Sequence, residues 1–290
     1  MKQKVSFFTW LNAIVCTVVG LSCLLPIVHL LAMSLSSEDM VVFGKVGLWP
    51  VGFNLSSYEY ILDNEAFWRA SGVTVMRLLL GVPIKVIVCI LAAYPLSKFN
   101  SRFRGRSIFV WYIFFTMLFG GGVIPWFIVI NELHMTGTVW ALILPCAVVS
   151  GNILLLLNFF RSLPQEVEES ALIDGAGQYR ILFQIIIPIS KPAIATICIY
   201  SILEHWNAWF DGMILMNSPD QYPLMTYLYY TGETISFSQR SAAELETMAE
   251  VGKRTYRAAQ VFVSTLPMLM VYPFFQRYFT KGIVLGAVKG

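Results

Sequence analysis

The chain has 290 residues, 57% of them hydrophobic and 13% charged, with a formal net charge of +3. That is more apolar surface than a soluble domain of this length can bury, so a free globular protein is excluded and an integral membrane protein is indicated. The small net charge says little more, and no nucleic-acid partner is expected.

A membrane-crossing helix needs ~20 consecutive apolar residues. Six such runs occur in chain order, at 10–35, 71–97, 107–130, 138–160, 189–216 and 258–279. Each is continuously apolar and too long for a strand, so the expected fold is an all-α integral membrane protein of six transmembrane helices in one domain, 1–290. Lys2 and Lys4 precede the first run much as in a signal peptide, but the run is too long and no small-x-small cleavage site follows it before Glu38, so an uncleaved helix is expected. Cys16, Cys23, Cys89, Cys146 and Cys198 all fall inside apolar runs with no CxxC pair, so neither a metal site nor a disulfide framework is implied.

Orientation follows from the connections. Lys2, Lys4, Lys98, Arg102, Arg104, Arg106, Arg161, Arg180, Lys191, Arg277, Lys281 and Lys289 give one side twelve bases, against six on the other: Lys45, Arg69, Arg240, Lys253, Arg254 and Arg257. Positively charged loops stay inside, so both termini are expected in the cytoplasm. Two longer connections on the far side, 36–70 and 217–257, carry Trp49, Tyr58, Tyr60, Trp68, Tyr222, Tyr227, Tyr229 and Tyr230, suited to a membrane-surface aromatic belt. The sequence has no GxxxxGK[ST], GxGxxG, HExxH or GxSxG motif, so no nucleotide hydrolysis or hydrolase chemistry is assigned to the chain itself.

The fourth and fifth runs are joined by a charged, glycine-broken segment, 161–188. Ser162-Leu163-Pro164-Gln165 reads as a helix start with a serine cap and a capping box, followed by a shallow stripe of Leu163, Val167, Ser170 and Ala171. Asp174-Gly175 breaks that helix. A second helix then places Tyr179, Leu182, Phe183 and Ile186 on one face before Pro188 and Pro192. An amphipathic helix lying on lipid headgroups is usually basic, whereas this one carries Glu166, Glu168 and Glu169, which favours docking to a basic protein partner.

The same segment resembles the EAA loop of binding-protein-dependent ABC transporter permeases: EAA, three residues, Gly, nine residues, Ile, one residue, Leu-Pro. Here Glu169-Ser170-Ala171, Gly175, Ile185 and Ile187-Pro188 stand at that spacing, departing only at Ser170 and Ile187. The resemblance runs over nearly the whole chain and is strongest to the carbohydrate branch, similar to the maltose-transporter small subunit and to oligosaccharide and alginate importers. It is carried also by LWPVGF, AAYPLSKF, FGGGVIPWF, HWNAWFD and YPFFQRYFTKGIVLGAVKG. It implies a pore-forming subunit and not an enzyme, in the cytoplasmic (inner) membrane, with no cofactor of its own. It further implies a homologous permease as partner, two cytoplasmic ATPase subunits holding ATP and Mg, and an extracytoplasmic solute-binding protein. Glu168, Glu169, Ser170, Ala171, Asp174, Gly175, Ala176, Ile185 and Pro188 are then the expected ATPase-coupling residues, and the tail from Lys281 to Gly290 is expected to reach toward the ATPase pair.

Charges within the runs suggest a substrate path. Arg77 and Lys85 share a broad side of the second run with Gly81 between them, and the fifth run supplies Glu204, His205, Trp206, Asn207, Trp209 and Asp211. Intramembrane charges are costly and face either a cavity or each other. Pairing of the acids with the bases is favoured. Unpaired bases facing the pore would instead suit an acidic, uronate- or alginate-like oligosaccharide. Gly120-Gly121-Gly122 has two readings as well, a helix interrupted at a binding site or a close helix approach. An ion-gradient-driven secondary transporter is the alternative of a different class, and a non-transporting scaffold is another.

Overall fold

The computed structural model describes residues 7–98, 103–233 and 252–287, and no strand occurs among them. Lys2, Lys4, Arg102, Arg240 and Lys289 of the orientation count lie outside the described residues. Clustering of contacts divides the chain into two compact units, one of residues 1–67 and 230–267, the other of 68–229 and 268–290.

In the first unit, α1 (Phe7–Ser34) is a 28-residue helix whose side chains are almost all exposed, as the lipid-facing role of a span requires. Short helices α2 (Glu38–Val42) and α3 (Ser56–Asp63) follow. Glu38 caps the last helix of the chain from a distance: its carboxylate accepts the Arg254 and Thr255 backbone N–H groups at 3.1 and 3.0 Å, satisfying donors that a helix start leaves open.

The second unit is built on α4 (Glu65–Ser97), a 33-residue helix that contains the second expected run and carries Pro83 and Pro95 within it. The third run is not one straight helix. It is α5 (Arg106–Leu118) and α6 (Val123–Glu132), bent by 115°. Phe119 turns extended and Gly122 takes a φ of +84°, a backbone conformation that glycine adopts freely. A Cβ built on Gly120, Gly121 or Gly122 would touch nothing among the described residues, so these glycines interrupt the helix and admit no neighbouring helix of this chain there. The fourth run is likewise α7 (Val139–Ile143) with a 3-10 turn, then α8 (Ser150–Ser162), bent by 46°.

Two helices follow in the charged segment, α9 (Gln165–Ile173) and α10 (Gln178–Ile181). The second runs through a π-helical turn, Leu182–Ile186, into α11 (Ile187–Ile189). The expected capping box is corrected here. Ser162 belongs to the end of α8, its hydroxyl donating to the Phe159 carbonyl at 2.7 Å, while α9 starts at Gln165 with Pro164 as its N-cap and no side-chain cap bond. The fifth run is α12 (Lys191–Asn207) and α13 (Phe210–Leu215), interrupted at Ala208–Trp209. The chain continues through α14 (Leu224–Glu233) to α15 (Lys253–Ala287), which contains the sixth run.

The core of this unit joins α4, α8 and α12 to the charged segment: Cys89, Ala93, Leu156, Leu157, Ile181, Leu182 and Ile197 are nearly fully buried together. The segment between runs four and five is therefore packed structure and not a loose connection.

Candidate functional site

Two places carry the residues that sequence reasoning singled out. The first lies along α4 and α12–α13. Arg77 and Lys85 have no exposed side-chain surface. Arg77 forms a bidentate pair with Asp211, its Nη1 donating to Oδ1 at 3.2 Å and its Nη2 to Oδ2, while its Nε donates to His205 Nδ1 at 3.1 Å. Lys85 pairs with Glu204. Lys85 lies about two turns beyond Arg77, ~12 Å at 1.5 Å per residue, and Glu204 stands seven residues before Asp211, so the two helices cross antiparallel and align both pairs. With Nδ1 accepting from Arg77, the ring proton of neutral His205 sits on Nε2, which meets α4 at Gly81. A Cβ on Gly81 would stand 2.8 Å from that nitrogen, so glycine is the residue that lets α4 and α12 approach here.

Beside the Arg77–Asp211 pair, on its Asp211 side, a cavity of about 1030 Å³ opens, at the upper end of the ~300–1,000 Å³ usual for small-molecule sites. Its wall includes Gly120–Gly122, Trp126, Asn207, Trp209, Phe210 and Asp211, so both helix interruptions border it. Interrupted membrane helices free backbone groups that only a cavity or protein can satisfy, which is why they border binding sites. Trp209 is held in place by stacking on Tyr229 with centroids 4.3 Å apart, and by Thr226, whose hydroxyl donates to the Trp209 carbonyl at 2.7 Å. Of the seven expected path residues, Asn207, Trp209 and Asp211 border the cavity; Arg77, Lys85 and Trp206 are buried away from it, and Glu204 is partly exposed in its pair with Lys85. Sequence reasoning does not single out Trp126 or Phe210, and it reads Tyr229 only as a membrane-surface aromatic. FGGGVIPWF carried the first, but nothing in its spacing tells a helix break from a close packing face.

The second place is the charged segment. α9 ends in a Schellman turn: Ala176 N–H bonds the Ala171 carbonyl at 2.9 Å, Gly175 N–H bonds the Leu172 carbonyl at 3.0 Å, and Gly175 has a φ of +77°. Ala171 is buried, Ala176 and Ile185 are half-buried against the core, and Pro188 is exposed in α11. Glu169, Ser170, Asp174 and Gly175 are exposed.

The face expected for the second helix is corrected. Leu182 and Ile186 are buried, but Tyr179 is 77% and Phe183 57% exposed, with Ile181 inside instead. The π turn at Leu182–Ile186 shifts the helical phase, so a 3.6-residue reading of the sequence assigns Tyr179 and Phe183 to the wrong side. Ile173, 86% exposed, is a third outward apolar side chain of the segment, whose exposed residues also include Glu166, Glu169 and Asp174.

The segment is fastened to the end of α4. Glu168 pairs with Lys98, both side chains more than four-fifths buried. Lys98 also lies over the Tyr94 ring, 3.8 Å from its centroid, and the Tyr94 hydroxyl donates to Gln178 Oε1 at 3.0 Å. A double-mutant cycle of Lys98→Ala and Glu168→Ala, read as thermal stability of the purified protein, is expected to show a coupling of about 0.5–3 kcal/mol; additive losses would mean the pair holds nothing.

Helices without strands among the described residues, long apolar spans, interrupted helices around a cavity and a packed helix–turn–helix between spans together make a membrane permease. Over residues 62–285 the chain matches the family described as binding-protein-dependent transport system inner membrane component. The chain belongs to that family. It is 36% identical over 271 residues to the polygalacturonan/rhamnogalacturonan transport system permease protein YtcP of Bacillus subtilis, covering 93% of this chain and 94% of that one. It is 25% identical over 296 residues to the arabinooligosaccharides transport system permease protein AraQ of Halalkalibacterium halodurans, covering the whole of both. Among solved structures, a chain of a bacterial ABC transporter involved in the import of the acidic polysaccharide alginate superposes with a TM-score of 0.85 at 32% identity, over 96% of this chain and 99% of that one.

Proposed function

We propose that this chain is one half of the translocation pore of an ABC importer for oligosaccharides, and that α9–α11 is the handle by which a separate cytoplasmic ATPase moves it. The observation that carries the proposal is the helix–turn–helix itself: rigidly closed at Gly175, fastened to α4 through Lys98 and Tyr94, and presenting Ile173, Tyr179 and Phe183 outward along with exposed acids. Packed elements of this kind switch between discrete arrangements, so motion imposed on the handle is passed to α4, α8 and α12. ATP and Mg belong to the ATPase pair. A homologous permease completes the pore, and a solute-binding protein delivers the sugar from outside.

Counting α5–α6, α7–α8 and α12–α13 each as one crossing, with α1, α4 and α15, makes six crossings. With the excess of bases on the connections, that count supports an inner-membrane protein with both termini in the cytoplasm. The sugar path runs through the cavity, where Trp126 and Trp209 offer faces to sugar C–H surfaces and Asn207 a hydroxyl partner.

The name of AraQ points to a neutral oligosaccharide, whereas those of YtcP and of the alginate importer support a substrate rich in uronic acid. The bases of this chain do not add to that, because Arg77 and Lys85 are paired; charge selection then falls to the partner permease or the binding protein. Uptake of neutral and uronate oligomers by Lys85→Met is accordingly expected to fall equally for both. A loss confined to uronates would restore a direct role for Lys85. Reconstitution with the ATPases and binding protein tests the whole reading: uptake must require ATP, and uptake that follows an ion gradient without ATP would replace it with a secondary transporter.

A further inference from the structure

A second cavity, of about 360 Å³, lies at the ends of α4 and α8 and the starts of α5 and α9. Lys98, Arg106, Arg161, Gln165 and Glu168 line it, over an apolar wall that includes Phe160 and Leu163. Three cations thus face one acid, and that acid is engaged by Lys98. Arg106 donates through Nη1 to the Lys98 carbonyl at 2.9 Å, but its Nε is buried with no acceptor among the described residues. Among the described residues Arg161 reaches only the Leu96 carbonyl, at 3.5 Å. Neither guanidinium forms an ion pair among the described residues, and their like charges repel.

Burying an arginine nitrogen without an acceptor, next to a second arginine, is unfavourable unless an anion completes the site. The start of α9 adds to this, since Pro164 offers no side-chain cap and Gln165 of the first turn borders the cavity. Free N–H groups at a helix start and guanidiniums together hold a phosphate well. Along α5, immediately past Arg106, Ile108, Phe109, Trp111 and Tyr112 are 54–74% exposed. An apolar, aromatic-flanked track leading away from a cationic pocket has the shape of a lipid's path, with the headgroup in the pocket and the chains along the helix.

We propose that this cavity binds a phosphate group, carried by an anionic membrane lipid or present as free phosphate. Occupancy would quench the repulsion of Arg106 and Arg161 at the point where α4, α8 and α9 meet. The site would thereby brace the proposed coupling segment, and it rests on the membrane placement given above.

The test uses the assembled transporter in nanodiscs of phosphatidylcholine with phosphatidylglycerol, with retained lipid counted by native mass spectrometry. In a second arm, discs of phosphatidylcholine alone receive inorganic phosphate, and protection against heat is measured. Wild-type protein is expected to retain phosphatidylglycerol, with affinity falling about fivefold for each of Arg106→Gln and Arg161→Gln and ~25-fold for both. Lys45→Gln, remote in sequence, serves as control and leaves retention unchanged. Protection by inorganic phosphate that the double variant loses, without lipid retention, supports the site with a soluble anion as its ligand. If neither lipid nor phosphate distinguishes wild type from the double variant, the proposal is overturned. ATP-driven uptake, assayed separately in proteoliposomes, reports on the permease reading, so either can fail alone.

Discussion

Arg77→Met is expected to cost about 3–5 kcal/mol of stability, because it leaves Asp211 buried without its cation. The protein should still insert, since methionine suits a span better than arginine, but purified protein should lose its fold at markedly lower temperature. Removing both charges, in Arg77→Met with Asp211→Leu, should recover much of the loss, as uncharged replacements of a buried ion pair commonly do. Recovery will be incomplete. His205 Nδ1 would be left without the Arg77 donor, and an unsatisfied buried acceptor costs about 1–3 kcal/mol. A double variant no more stable than Arg77→Met would show that the two charges do not compensate one another. Thermal unfolding of wild type, single and double variants in one detergent decides it.

The second large effect is at Gly175. Leucine there meets two obstacles of different kind. The φ of +77° costs a side-chain-bearing residue about 1–2 kcal/mol, and the space around a new Cβ is empty in this chain, so any steric block must come from a bound partner. Gly175→Leu is therefore expected to abolish ATP-driven uptake while membrane content stays near normal. Gly175→Asn separates the two causes, because asparagine tolerates the left-handed conformation with a small side chain. It should retain a substantial part of transport. Normal uptake with Gly175→Leu would show that nothing docks at this turn. Glu169→Lys, which reverses a charge on the exposed side of α9, is expected to give the same loss of uptake without loss of protein.

What the sequence made legible follows from which physical signals are local. Continuous apolarity announced the helices, and Asp174-Gly175 announced the turn, because a left-handed residue at a helix end is a one-residue requirement. The alignment of Arg77 and Lys85 with Asp211 and Glu204 was within reach for the same reason: few groups inside a membrane are able to neutralise a base, and the spacing along each helix is nearly equal. What stayed hidden depends on geometry that no short window carries. Gly120–Gly122 permits both a break and a close approach, and only the 115° bend and the empty space around each glycine decide between them. A regular helix through Leu182–Ile186 groups Tyr179 and Phe183 on one face with Leu182 and Ile186, but a π turn intervenes there and only Leu182 and Ile186 are buried. Ser162 has the composition of a cap, but α8 extends two residues past the apolar run that ends at 160 and takes its hydroxyl. Lys98, Tyr94 and Gln178 join residues 70 and 84 positions apart, which no periodicity reveals.

Cysteine cross-linking from the outward face of the helix–turn–helix is the most direct test of its role as the handle. With Ile173→Cys or Tyr179→Cys in an otherwise cysteine-free permease, assembled with its ATPase in proteoliposomes, cross-links to the ATPase are expected, and their yield should change when ATP is added. Cross-links to lipid alone, in every nucleotide state, would contradict the coupling mechanism proposed for this chain.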